Sequence, residues 1–246
     1  MRLSAKFTFM AFRILALIPA RSGSRGLRHK NVQKVGGIPM LQRAVSLALQ
    51  SQRRGESWHV MVSTDSRAYA DLAKKAGADV PWLRPKRLSS SGARLIDVVL
   101  YTLEWQERRG HTYDAVAMLS AATPLTAIRD LRKAIRMHRR QGDAVISVTK
   151  SKIPDPWRFG LEGGRLTATA QNHRIDRRQV SPDRYQLNGA IYIATPAWLN
   201  KHRQFFVPNK SIALVMPDGR SVDVDSKLDL DWARFLCSTE FPRGDK

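Results

Sequence analysis

The stretch IPARSGSRGLRHKN, residues 18–31, decides how the chain reads. It closes an apolar run, residues 14–18, that reads as a buried strand, and then brings Arg21, Ser22, Gly23, Ser24, Arg25, Gly26, Arg28 and Lys30 within ten positions. Glycine lets a backbone turn tightly and approach a neighbour, serine adds donors, and arginine and lysine add charge. A loop of that make-up directly after a first strand is where open α/β sheets hold phosphate groups. The spacing is neither G-x-x-x-x-G-K-[ST] nor G-x-G-x-x-G, which excludes the two common phosphate-loop forms. On composition alone, an anion-holding loop and a solvated basic turn stand as even alternatives.

Further along, apolar runs alternate with helical periodicity. Residues 14–18, 59–62, 115–119 and 144–148 are continuous Val/Ile/Leu-rich runs, as expected of parallel strands covered on both faces. Helical stretches lie between them at 40–50, 67–76, 95–108 and 128–140, with Pro39 suited to a first turn and Ser66 to an N-cap. This alternation predicts an α/β protein with a Rossmann-like, doubly wound, mostly parallel sheet and right-handed crossovers. The pattern breaks over about 150–188, a polar, basic, proline-punctuated insertion with a hairpin turn expected at Gly163–Gly164. GAIYIA, IALVM and SVDVD then read as strands and residues 228–237 as a closing helix.

With 246 residues and 43% hydrophobic content, the chain can build one large domain. One cysteine, Cys237, excludes an internal disulfide and a cysteine-rich zinc site. Residues 1–13 carry a patch too short for a signal segment and read as a disordered extension or an overlong start, with the domain running over 14–246. No run reaches the ~18 apolar residues of a spanning helix, so no membrane role and a cytoplasmic location are expected. The 42 basic and 21 acidic residues give a net charge of +21. The basic pairs, such as Arg53-Arg54 and Arg139-Arg140, are scattered near predicted helix ends and form no aromatic-interleaved stripe, which weighs against nucleic acid as the partner.

Asp223 and Asp225 sit at i and i+2 of a predicted strand, so alternation places them on one face, where paired carboxylates can share a divalent cation. On the residues alone, a polar face ahead of a helix cap at Ser226 accounts for them better. Asp65 either orients a ligand or caps the next helix. Asn31 is either a polar contact or a turn residue.

The opening stretch resembles the signature of the sugar-acid cytidylyltransferases, especially the acylneuraminate branch. VSTDS (62–66), GADVPWLRP (77–85), ATPL (122–125), RRQ (177–179), YQLNGAIYI (185–193) and VDVDSKLDL (222–230) are similar to later blocks of that family, in the same order. The resemblance implies attack by the anomeric hydroxyl of a 2-keto sugar acid on the α-phosphate of CTP, giving a CMP-sugar and pyrophosphate. It implies triphosphate contacts at Arg21 and Lys30, completed by Ser22, Gly23, Ser24 and Arg25, nucleotide contacts at Asn31 and Arg84, and Mg²⁺ held by Asp223 and Asp225. It places Arg178, Gln179, Tyr185 and Asn188 on the sugar-acid side, although Tyr185 equally suits a core. It also implies that the insertion is a dimerisation arm. The sequence departs from the family pattern at Arg25, Ser91, Arg94, Ser120 and Thr126. Ser120 stands where a glutamine is usual, which opens the identity of the acid. A KDO-like, legionaminic- or pseudaminic-type or phosphonate substrate is one alternative, and a catalytically reduced RNA-binding homologue another.

Overall fold

In the computed structural model, residues 11–23, 26–153, 158–168 and 183–239 are described. Strand β1 (Phe12–Pro19) is followed by a short hairpin, β2 (Lys34–Val35) and β3 (Ile38–Pro39), and by helix α1 (Met40–Ser51). Then come β4 (Glu56–Ser63), α2 (Arg67–Lys75), α3 (Leu95–Glu107), β5 (Ala115–Leu119), α4 (Ile128–Gln141) and β6 (Val145–Lys150). The hairpin β7 (Phe159–Glu162) and β8 (Arg165–Ala168) precedes β9 (Tyr185–Ala194), α5 (Pro196–His202), β10 (Ile212–Val215) and α6 (Lys227–Ser238).

Six strands form one sheet in the order β10-β6-β9-β5-β1-β4. β1 runs parallel to β4 and β5, and β10 parallel to β6, while β9 alone is antiparallel to both its neighbours. Both faces are covered, because successive side chains of a strand point to opposite sides. From β1, Ile14, Ala16 and Ile18 pack with Leu41 and Val45 of α1, Ala70 of α2 and Leu131 of α4. Leu15 and Leu17 pack with Ile96 and Val99 of α3 and Leu199 of α5. The mostly parallel, doubly wound architecture expected from the sequence is the one observed; the expected helices fall within a residue of the observed ones, while β4 starts three residues and β9 four residues earlier than expected. A third apolar cluster ties α6 to the hairpin through Val35, Met40, Leu125, Val224, Leu230 and Leu236.

Two expectations are corrected. SVDVD forms no strand: residues 221–225 are irregular, linked to the strand-end loop by the Val224 N–H, which donates to the Ala122 carbonyl at 2.9 Å. Phe12 and Arg13 belong to the sheet rather than to a disordered extension. The Phe12 N–H donates to the Gly55 carbonyl at 3.0 Å and the Arg13 N–H to Asp114 Oδ2 at 2.7 Å.

Candidate active site

A cleft of about 480 Å³ opens at the carboxyl ends of β1 and β5. Open α/β sheets bind ligands at this edge, where the chain winds in opposite directions on either side of a strand. The loop after β1 contributes Arg21, Gly26, Lys30 and Asn31, and the irregular segment before α6 contributes Asp223 and Asp225. Arg84, Ser90, Ser91 and Leu95 supply another side, with Met118, Ser120, Gly189 and Tyr192 completing the lining.

The loop is held from within. Asp65 accepts from the Ser22 N–H at 2.7 Å and from the Ser22 hydroxyl at 3.0 Å. Ser22 therefore commits both donors to Asp65 and does not line the cleft, while Asp65 leaves the helix cap to Ser66, whose hydroxyl accepts from the Tyr69 N–H. Asn31 is buried and donates Nδ2 to the Arg21 carbonyl at 3.1 Å, which leaves its side-chain carbonyl able to accept. Gly26 carries the closest approach: a Cβ there would stand 2.3 Å from the Asp225 carbonyl oxygen. Gly23 has open space around it. Ser24 and Arg25 lie outside the described residues, as do Arg178 and Gln179.

Arg84 is buried, its guanidinium donating to the Ser63 hydroxyl at 3.0 Å and to the Ser63 carbonyl. Burial lowers its pKa to about 10, which the Asp65 charge opposes and the Arg21 charge reinforces. It stays protonated at neutral pH, so two guanidinium charges act on one region of the cleft. That region favours an anion.

On the acidic side, Lys30 Nζ donates to Asp225 Oδ1 at 2.6 Å. Asp223 is reached by solvent through the cleft, yet protein crowds it on most sides. Burial pushes its carboxyl up to about 6; the nearby Lys30 opposes this, while Asp225 and Asp229 add to it. Ser226 and Asp229 cap α6 reciprocally, so the capping reading of this segment and the cleft reading both hold. Among the described residues no three metal-ligating side chains converge. Two hard carboxylate donors suit a Mg²⁺ ion that takes its remaining oxygens from phosphates and water, which is how that ion commonly binds beside nucleotides.

Four of the residues singled out in the sequence do not line the cleft. Asn188 is buried, with Oδ1 accepting from the Ser147 hydroxyl at 2.5 Å and from the Ala190 N–H, and Nδ2 donating to the Ser221 hydroxyl at 2.9 Å. Its polar atoms are committed, so it positions the segment that leads to Asp223. Tyr185 is 51% exposed, neither core nor cleft lining. Thr126 and Arg94 are also not part of the lining: Thr126 donates to the Thr123 carbonyl at 3.0 Å, and Arg94, between the cleft-lining Ala93 and Leu95, pairs with Asp97 at 2.8 Å. Ser91 and Ser120 do line it. Sequence reasoning did not single out Gly189 or Tyr192. A glycine inside a strand signals a bulge or a close approach. Gly189 has φ +73°, lies where the β6–β9 register shifts, and would bring a Cβ within 3.3 Å of Asp223 Oδ2.

Residues 15–180 match the cytidylyltransferase family. The chain is 32% identical over 222 residues to CMP-N,N'-diacetyllegionaminic acid synthase of Legionella pneumophila, covering 90% of this chain and 94% of that protein. It is 30% identical to pseudaminic acid cytidylyltransferase of Campylobacter jejuni, covering 90% and 95%. It is also 30% identical to N-acylneuraminate cytidylyltransferase of Escherichia coli, where the match spans 91% of this chain and 52% of the relative. Among solved structures, CMP:2-keto-3-deoxy-manno-octonic acid synthetase complexed with CTP shares the fold at a TM-score of 0.67 and 17% identity, covering 93% of this chain and 99% of that one. The family match and the curated relatives define the class of protein as a nucleotidyltransferase. Within that class, the chain belongs to the cytidylyltransferase family.

Proposed function

We propose that the enzyme transfers CMP from CTP to the anomeric hydroxyl of a sialic-acid-like 2-keto sugar acid of the legionaminic, pseudaminic or neuraminic type. The anomeric hydroxyl gives up its proton to water as its oxygen attacks the α-phosphorus, a bond to that oxygen forms, the bond to the bridging oxygen of the β-phosphate breaks, and pyrophosphate leaves. One observation carries the reading: Arg21, Lys30 and Arg84 share a cleft with the Asp223–Asp225 pair at the carboxyl edge of the sheet. Such a transfer needs positioning and neutralisation of charge more than a covalent protein intermediate.

In this reading Arg21 and Lys30 hold the triphosphate, and Gly23 lets the loop backbone meet it. Asn31 and Arg84 hold the nucleoside, Asn31 through its free side-chain carbonyl. Asp223 and Asp225 hold Mg²⁺, which when bound neutralises phosphate charge and polarises the α-phosphate. Ser91 and Ser120 shape the acid pocket, the short Ser120 leaving room where a longer side chain would intrude. Arg178 and Gln179 are assigned to the acid carboxylate on the family resemblance. We place the enzyme in the cytoplasm, as a homodimer joined through residues 150–188. The hairpin in that segment exposes Leu161 and Leu166 by 72% and 71%, apolar surface suited to a second copy.

Pyrophosphate release measured with each of the four nucleoside triphosphates, with and without a panel of keto sugar acids, tests the reading. Release that requires CTP, an acid and a divalent cation is expected. Absence of acid-dependent release, together with tight salt-dependent RNA binding, would replace it with the binding-protein alternative.

A further inference from the structure

We infer that Lys30 closes the cation site in the nucleotide-free enzyme, so that a divalent cation is taken up together with the triphosphate and not before it. The inference rests on the nucleotide reading above and adds an order of binding that the reading does not contain.

The Lys30 ammonium donates to Asp225 Oδ1 at 2.6 Å. The two partners are brought together by backbone as well as by charge, because Gly26 lets the loop press within a Cβ's reach of the Asp225 carbonyl oxygen. The acidic end is the fixed one. The Asp225 N–H donates to Asp229 Oδ2 at 3.1 Å, the Val224 N–H donates to the Ala122 carbonyl at 2.9 Å, and Val224 is fully buried. Lys30 is the adaptable end, a long side chain whose stem leaves a short helical turn (Lys30–Val32) next to His29 in the left-handed region. An ammonium at this distance repels a divalent ion from the same carboxylate and fills one of its hydrogen-bonding positions.

The pair is also easy to break. The pair meets solvent on its carboxylate side, at 73% exposure against 21% for Lys30, and ion pairs open to water are weak. A triphosphate carries several negative charges and outcompetes a single carboxylate for Lys30. Once the ammonium turns to the phosphates, Asp225 is released to join Asp223 as a ligand. Lys30 thereby acts twice, as a plug on the empty site and as a phosphate contact in the filled one. Linkage then requires that CTP raise cation affinity by the same factor as the cation raises CTP affinity.

The test is Mn²⁺ binding measured by calorimetry and by water-proton relaxation on the intact chain, with and without CTP and with no sugar acid present. Wild type, Lys30→Met, Lys30→Gln, Lys30→Arg and Arg21→Met are compared, with circular dichroism to check folding. Without CTP, Lys30→Met and Lys30→Gln are expected to bind Mn²⁺ about tenfold or more tightly than wild type. CTP should promote their Mn²⁺ binding by a smaller factor than in wild type. Lys30→Arg keeps the ion pair and should stay weak. Equal nucleotide-free affinities for wild type and Lys30→Met, with both proteins able to bind CTP in a separate titration, would overturn the plug and leave the nucleotide reading intact. An equal gain in Arg21→Met would overturn it too, by tracing the effect to the general field of the cleft. Failure of wild type to bind CTP at all would refute the underlying reading, and the plug with it.

Discussion

At the scale of single residues, the cleft trades stability for charge, and Asp223 is where the trade is measurable. Its folded-state pKa, pushed to about 6 mainly by burial, lies above the ordinary 3.8. The folded chain therefore holds the proton more tightly than the unfolded chain does. The stabilising contribution is complete below the unfolded value and disappears as pH rises through about 6, after which the charged carboxylate is a standing cost. Asp223→Asn should accordingly melt at a higher temperature than wild type above pH ~7 and at nearly the same temperature below pH ~4, while losing turnover. Thermal melts across this range check it, and a variant less stable than wild type above pH ~7 would show that Lys30 outweighs the crowding. Ser120 acts on specificity. Its hydroxyl accepts from the Ala122 N–H at 3.0 Å and so shapes the strand-end turn while the residue lines the cleft. Ser120→Gln reaches further into the cleft, and one gained or lost polar contact is worth about 1–3 kcal/mol. The ratio of kcat/KM between two keto sugar acids should shift about tenfold with little change in CTP affinity. Equal ratios would mean that Ser120 does not read the acid.

At the scale of elements, two close approaches of backbone to the acidic segment build the site, at Gly26 and at Gly189. Gly189 adopts φ +73° with a Cβ position 3.3 Å from Asp223 Oδ2, and Gly37, in the β2–β3 turn, adopts φ +77° with open space around it. Gly189→Ala and Gly37→Ala share the left-handed backbone strain of about 1–2 kcal/mol. Only Gly189→Ala also crowds Asp223. Melting temperature should fall in both, while kcat/KM should fall markedly only in Gly189→Ala; equal kinetic loss in both would remove Gly189 from the site. The strands and helices of the sheet were legible because residues 14–18 and 115–119 are buried on both faces, a condition that leaves its mark in composition. Residues 221–225 misled for a physical reason. Val222 and Val224 alternate with Asp223 and Asp225, and alternation records which way side chains face, not whether the backbone pairs. Val224 does turn into the cluster under α6 and the two carboxylates do line the cleft, without a strand ladder. The tasks of Asn188 and Asp65 were not legible, since each depends on partners 41 to 43 positions away in the chain.

At the scale of the whole molecule, the sheet presents a basic loop and an acidic segment at a single edge, and the net charge of +21 gives the molecule a field that draws anions. Part of this charge completes helix ends, as Lys74 and Lys75 do in α2 and Arg139 and Arg140 in α4; the last turns of α1, α3 and α6 carry none. The field serves any polyphosphate, so specificity has to come from the cleft, and the bond that is broken there is the central claim. It is tested most directly by following radiolabelled CTP, labelled in one experiment at the α-phosphate and in another at the γ-phosphate, with a sialic-acid-like keto acid and Mg²⁺. Nucleotidyl transfer places the α label in a CMP-sugar and the γ label in pyrophosphate, in equal amounts. Release of the γ label as orthophosphate, or its appearance on the acid, would contradict attack at the α-phosphorus.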